Sequence, residues 1–168
     1  MSDKKLKQRN EIPKEYKWNI EAMYPDESQW EKDVAESVEK AAAFSKFQGK
    51  LTGSASTLLE ALRERDSIWQ KLEHAFVYAA MKKDEDNRED KYQAMDDKCG
   101  SAIAKVSASM SFFTPELLEA SEETILGYIA EEDGSGGKYA CRTIEEQIGV
   151  DKAVELAVED IEAKMKSR

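Results

Sequence analysis

Apolar residues in this chain return every three or four positions along extended stretches. The plainest run is Tyr92, Met95, Cys99, Ala102, Val106, Met110 and Phe113. Steps that alternate between three and four keep side chains on one face of an α-helix, and such a stripe is the seam of an antiparallel helix pair. A strand would need strict alternation, and no period-two pattern of any length is present. The spacing predicts an all-α fold of antiparallel helical hairpins or a bundle.

The same pattern places the other elements. A first helix is expected over about 28–48, marked by Trp30, Val34, Val38, Ala41 and Ala42, with Gly49 as a C-terminal cap. A second runs over about 56–83, entered through Ser56 or Ser54 and faced by Leu58, Leu62, Trp69, Leu72, Phe76 and Ala79 or Ala80. The seam quoted above forms a third over about 90–112, joined to the second by the acidic turn 84–90. Thr114-Pro115 then opens a fourth, with Leu117, Leu118, Ile125, Leu126 and Ile129 continuing to about Glu132.

The flanks differ. Residues 1–27 read as an irregular arm, since Ile12-Pro13 and Tyr24-Pro25 disfavour helix before each proline. Tyr16, Trp18, Ile20, Met23 and Tyr24 give that arm apolar surface to lay across a helical body at 28–133. Gly134-Ser135-Gly136-Gly137 is a flexible linker by composition. Beyond it, at 138–168, Val150, Val154, Ala157, Val158, Ile161 and Met165 define a C-terminal amphipathic helix over 150–166.

Charge excludes several classes of partner. With 25 Lys+Arg against 35 Asp+Glu, the net charge is −10, a field that repels phosphate backbones and anionic membranes. No run approaches the roughly 18 apolar residues that a spanning helix needs. The N-terminus is basic without the apolar stretch of a signal peptide, and two cysteines, Cys99 and Cys141, fit a reduced compartment. A cytoplasmic address follows as the expectation.

Candidate chemistry is sparse. The chain has 1 His, and neither an HExxH, a CxxC nor a phosphate-binding glycine loop can be written from it. The run Asp84–Asp90 invites a calcium-loop reading. Counted from Asp84, however, Arg88 falls on the fifth ligand place, Glu89 on the obligatory glycine and Met95 on the final glutamate, so a solvated acidic turn is expected. Glu73-His74 reads as a reversed scrap of a zinc motif without its second histidine, hence an exposed or rim histidine. Cys99 falls on the apolar seam and is expected in the core, as are Trp30, Trp69, Phe76 and Phe113. A Cys99–His74 nucleophile pair on adjacent helices is conceivable in geometry, but nothing supplies its orienting acid or oxyanion donors.

Ordered landmarks add a resemblance. Arg9-Asn10-Glu11-Ile12-Pro13-Lys14-Glu15-Tyr16-Lys17-Trp18-Asn19-Ile20, then Met23-Tyr24-Pro25 and Trp30-Glu31, resemble the opening of oligoendopeptidase F, a zinc metallopeptidase family related to thimet oligopeptidase. Phe47-Gln48-Gly49-Lys50-Leu51 resembles the family's next landmark, as does the stretch from Leu58-Leu59-Glu60-Ala61-Leu62 through Val77-Tyr78-Ala79 and Asp84-Glu85-Asp86 to Tyr92-Gln93-Ala94. Ser107–Leu117 resembles the segment that follows. The likeness covers roughly residues 9–133 and stops before the glycine linker.

The resemblance implies the N-terminal helical domain of a cytoplasmic peptidase that cuts short peptides. In that family two histidines of an HExxH helix and a later glutamate hold zinc, and the HExxH glutamate is general base toward the bound water. None of those residues has a counterpart here, so no catalytic, substrate-binding or metal residue is assigned. Zinc and short peptides are expected for the full-length family member, and the catalytic domain is the expected partner. The chain alone is expected to be inactive, with self-association through exposed apolar surface. The competing expectation is a standalone acidic helical protein-interaction module.

Overall fold

The computed structural model describes Lys7 and residues 11–130. Among them all regular structure is helical: α1 (Glu27–Ala43), α2 (Ala55–Glu85), α3 (Asp90–Ser109), α4 (Phe113–Glu119) and α5 (Glu122–Ala130), with 3-10 turns at Lys14–Tyr16, Ile20–Ala22 and Phe44–Phe47. The all-α expectation holds. The linker 134–137 and the tail 138–168, with its expected helix 150–166, lie outside the described residues. The chain divides into two compact units, one holding residues up to Ala43 with Asp66–Met110, the other Phe44–Arg65 with the residues from Ser111 onward.

The first unit is a three-helix bundle of α1, residues 66–85 of α2, and α3. Its register can be read from paired residues. Lys71 of α2 reaches Glu36 at 2.8 Å, while Trp30 Nε1 donates to the Ala75 carbonyl at 2.9 Å, so α1 and α2 run antiparallel. Lys83 meets Asp96 at 2.6 Å across the short 86–89 loop, which makes α2 and α3 antiparallel as well. Glu27–Lys91 and Glu31–Lys98 then pair α1 with α3 in parallel. Between the helices lie Trp30, Val34, Ala41, Leu72, Ala75, Tyr78, Met95, Cys99, Ala102 and Val106.

The predicted seam is buried from Met95 through Phe113, but α3 ends at Ser109 where the spacing expected a helix to about 112, and Phe113 opens α4. On α2, Leu58, Leu62, Leu72 and Ala79 are buried as expected, while Trp69 and Phe76 yield their places to the preceding Ile68 and Ala75. Trp69 is half-buried and Phe76 is 37% exposed. Ala75 marks the phase. The Trp30 indole N–H donates to its carbonyl at 2.9 Å, and Ala75 itself is fully buried. On α1, Ser37 takes a buried place next to the half-buried Val38, and Ala42 is exposed. The Ser37 hydroxyl donates to the Asp33 carbonyl at 2.8 Å, which removes the penalty of burying it. Of the arm, Ile20 and Tyr24 are buried while Tyr16 and Trp18 stay exposed.

The second unit gathers aromatic rings. The expected first helix ends at Ala43, not 48, and the 3-10 turn Phe44–Phe47 follows. Side chains three apart eclipse in a 3-10 turn, so Phe44 and Phe47 bury together with ring centroids 5.1 Å apart. Phe112 and Phe113 lie 5.8 and 6.1 Å from Phe44, and the Arg65 guanidinium sits 4.9 Å over Phe113. Gly49 adopts φ +74°, in the left-handed region that favours glycine. Ser54 is the residue that caps α2, its Oγ accepting the Thr57 amide at 3.1 Å.

The expected fourth helix is two. Ala120 turns to extended backbone at φ −66°, ψ 143°, and the Ser121 Oγ accepts the Thr124 amide at 3.2 Å to start α5. Ser121-Glu122-Glu123 is a start signal that the apolar spacing overran. The Tyr128 hydroxyl then fastens α5 to the Thr52 carbonyl at 2.6 Å.

Candidate functional site

The first unit carries a cleft of about 590 Å³ where Met23 and Tyr24 of the arm meet α1 and α2. Asp26 starts α1 beside it by accepting the Ser28 and Gln29 amides on Oδ1 at 2.9 and 3.1 Å, and the Ser28 hydroxyl, which also donates to Oδ1, does most to hold its carboxyl below the usual range, followed by the Gln29 amide. That start fixes the phase of α1, and Asp33 therefore faces the arm. Tyr24 donates to Asp33 Oδ2 at 3.1 Å, and Gln29 Nε2 donates to Oδ1 at 2.9 Å. Burial, and then the Asp33 carboxylate, push the Tyr24 phenol above its ordinary value.

From α2, Ser67, Lys71 and His74 project to the same cleft at helical spacing. The Lys71 ammonium lies 2.8 Å from Glu36 and 3.6 Å from Asp33, and its pKa is raised chiefly by Glu36. Glu36 also takes Lys40 at 2.7 Å, and hydrogen bonds from Lys40 and Lys71 hold its carboxyl down to about 2.

That depressed value has a pH signature. A carboxylate whose folded pKa lies below its unfolded value stabilises the fold above about pH 4.3 and loses that contribution as pH falls through the folded value. The urea midpoint of the chain is therefore expected to drop between pH 4.5 and about 2, and Glu36→Gln flattens that part of the profile. The pair is solvent-facing, so salt trims the effect.

His74 is exposed, as expected of a rim histidine. Its ring lies 4.9 Å from Tyr24, and Nε2 stands 3.4 Å from the Met23 carbonyl. Glu73 beside it is exposed too. Cys99 is at 0% exposure in the bundle core, where burial pushes its thiol up to about 11. A thiol sealed and protonated in this way is no nucleophile at neutral pH, so Cys99 and the exposed His74 do not make a catalytic pair. In the acidic turn, Arg88 Nε and Nη2 clasp Asp86 at 2.7 and 2.6 Å, so the run brings its own cation. Among the described residues no group of three or more His, Cys, Asp or Glu converges as metal ligands.

Spacing alone did not single out Tyr24, Asp33, Glu36 and Lys71. Asp33, Glu36 and Lys40 do repeat at steps of three and four on α1, the one sequence signal that bears on them. Their partners come from segments far off in the chain.

No family model matches the chain. Individual relatives do. It is 36% identical over 116 residues to the chromosomal oligoendopeptidase F of Lactococcus lactis subsp. cremoris, covering 68% of this chain and 19% of that protein. It is 30% identical over 128 residues to the oligopeptidase PepF of Bacillus subtilis, covering 76% of this chain and 19% of that one. The crystal structure of oligoendopeptidase-F from Enterococcus faecium matches with a TM-score of 0.59 at 31% identity, over 64% of this chain and 21% of that one. The chain is similar to the N-terminal part of oligoendopeptidase F.

The chain spans about a fifth of the length of the curated relatives it matches. Oligoendopeptidase F is a metallopeptidase family, and the donors among the described residues do not come together to fit its zinc. The 1 His of the chain is turned to Tyr24 and the Met23 carbonyl, and Cys99 is sealed in the core. None of the described helices is long and apolar enough to cross a membrane.

Proposed function

We propose that this chain serves as the N-terminal helical part of a zinc-dependent oligoendopeptidase that hydrolyses short peptides in the cytoplasm, its bond-breaking residues lying on other polypeptide. The observation that carries the reading is 36% identity to an oligoendopeptidase F sustained over 116 residues, with the fold shared at TM-score 0.59 with a second oligoendopeptidase-F. A zinc hydrolase site needs an open coordination place behind three protein ligands, and among the described residues no group of three or more His, Cys, Asp or Glu converges to supply them. The role of these residues is accordingly to bind and position, with no hydrolytic step assigned to them.

The test is cleavage of an internally quenched peptide by the purified 168-residue chain, with and without added zinc. No turnover above the uncatalysed background is expected from the chain alone. Turnover is expected when a B. subtilis PepF deleted of the matching segment is added. Zinc-dependent turnover by the chain alone, lost with a chelator, would overturn the reading.

A second reading, an acidic helical interaction module acting by itself, is favoured by the exposed aromatics Tyr16 and Trp18 on the arm. It predicts that the chain shows no effect on the deleted peptidase while Trp18→Ala removes its association with a partner.

A further inference from the structure

We propose that the C-terminal segment 150–166, which lies outside the described residues, folds back antiparallel to α5 and covers apolar surface that α4 and α5 present in the second unit. Leu118 on α4 is 60% exposed, beside the buried Leu117. On α5 the Tyr128 hydroxyl ties one side of the helix to the Thr52 carbonyl at 2.6 Å. Leu126, two positions earlier and half-buried, stands about 200° round the helix from Tyr128, on the side turned away from that tie. A helix of 9 residues does not hold by its own propensity and depends on what packs against it.

Continuity, spacing and charge name the occupant. The chain runs on from α5 into Gly134-Ser135-Gly136-Gly137, a sequence that permits reversal. Val150, Val154, Ala157, Val158, Ile161 and Met165 then recur at helical spacing, an apolar stripe that needs cover of its own. An antiparallel return sets Lys164, Lys166 and Arg168 beside the start of α5. There Glu119, Glu122 and Glu123 are exposed and have no ion-pair partner among the described residues. A parallel return would bring Asp151 and Glu155 with Lys152 to the same place, where the acids outnumber the base. The docking is independent of the proposed peptidase role.

A carbodiimide joins an ammonium to a carboxylate without a spacer. In the whole chain it should link Lys164 or Lys166 to Glu119, Glu122 or Glu123 within one molecule, as read by peptide mass spectrometry. Val158→Asp combined with Ile161→Asp should abolish those links and speed amide exchange in α5 about tenfold, while the α1–α3 amides keep their protection. Absence of the links in the unaltered chain, a result that does not depend on how the variant folds, overturns the docking. Unchanged α5 exchange in the double variant overturns it too. Links found only between isotope-labelled and unlabelled copies after mixing overturn it in favour of a second copy. Links from Lys152 in place of Lys164 and Lys166 overturn the antiparallel direction. These readouts involve no turnover, so a failed hydrolysis test leaves the docking standing, and missing links leave the peptidase reading.

Discussion

Trp30→Ala is expected to lower the unfolding free energy of the bundle by roughly 3–5 kcal/mol, the range for truncating a buried tryptophan. The ring is 2% exposed, its N–H donates to the Ala75 carbonyl at 2.9 Å, and the Lys98 ammonium lies 5.5 Å from it. Removal leaves a void in the core between the helices that the surrounding side chains fill only in part. Urea unfolding followed by circular dichroism measures the loss. Trp30→Phe separates the parts. It keeps most of the volume and loses the hydrogen bond with a smaller part of the ring, so roughly 1–2 kcal/mol is expected. A Trp30→Ala cost below that of Trp30→Phe would mean that the indole does not organise the bundle.

That indole also marks where sequence reading succeeds and where it slips. The α3 seam was legible because every member, from Met95 to Phe113, is apolar and each step is three or four, so only one helical phase satisfies the pattern. On α2 two phases compete. Phe76 and Trp69 draw the stripe toward one, while the fold buries Ile68 and Ala75 and sets the Trp30 indole against the Ala75 carbonyl. Periodicity ranks positions by hydrophobicity and carries no information about a partner 45 residues away.

The cleft was illegible for the same reason. Its members are ordinary polar residues of an amphipathic surface until the register of α1 against α2 brings Asp33 and Glu36 to Lys71. The turn from α1 into Phe44–Phe47 and the break at Ala120–Ser121 were lost differently. Both keep apolar residues at helical intervals while backbone geometry changes beneath them.

Glu116→Gln should have the second largest effect, roughly 2–4 kcal/mol, from a change of one atom. In the second unit Glu116 Oε2 accepts the Gly49 amide at 2.8 Å and Oε1 the Leu51 amide at 2.7 Å, so one carboxylate satisfies two main-chain donors on the loop that leads to α2. Hydrogen bonds to a charged acceptor contribute about 1.5–3 kcal/mol each, with some loss here to solvent on the exposed Gly49 side. The glutamine amide keeps one acceptor and turns an NH₂ toward the other N–H, a donor facing a donor. Glu116→Ala loses both bonds without creating that clash, so the near-isosteric variant should be no more stable than the truncation. That ordering identifies the carboxylate as an acceptor for both amides, since a side chain that merely filled space would be better replaced by glutamine. Amide hydrogen exchange locates the effect: Gly49 and Leu51 should exchange faster in both variants, while the α1–α3 bundle amides keep their protection. A bundle that loosened equally would show that Glu116 holds more of the chain than its own loop.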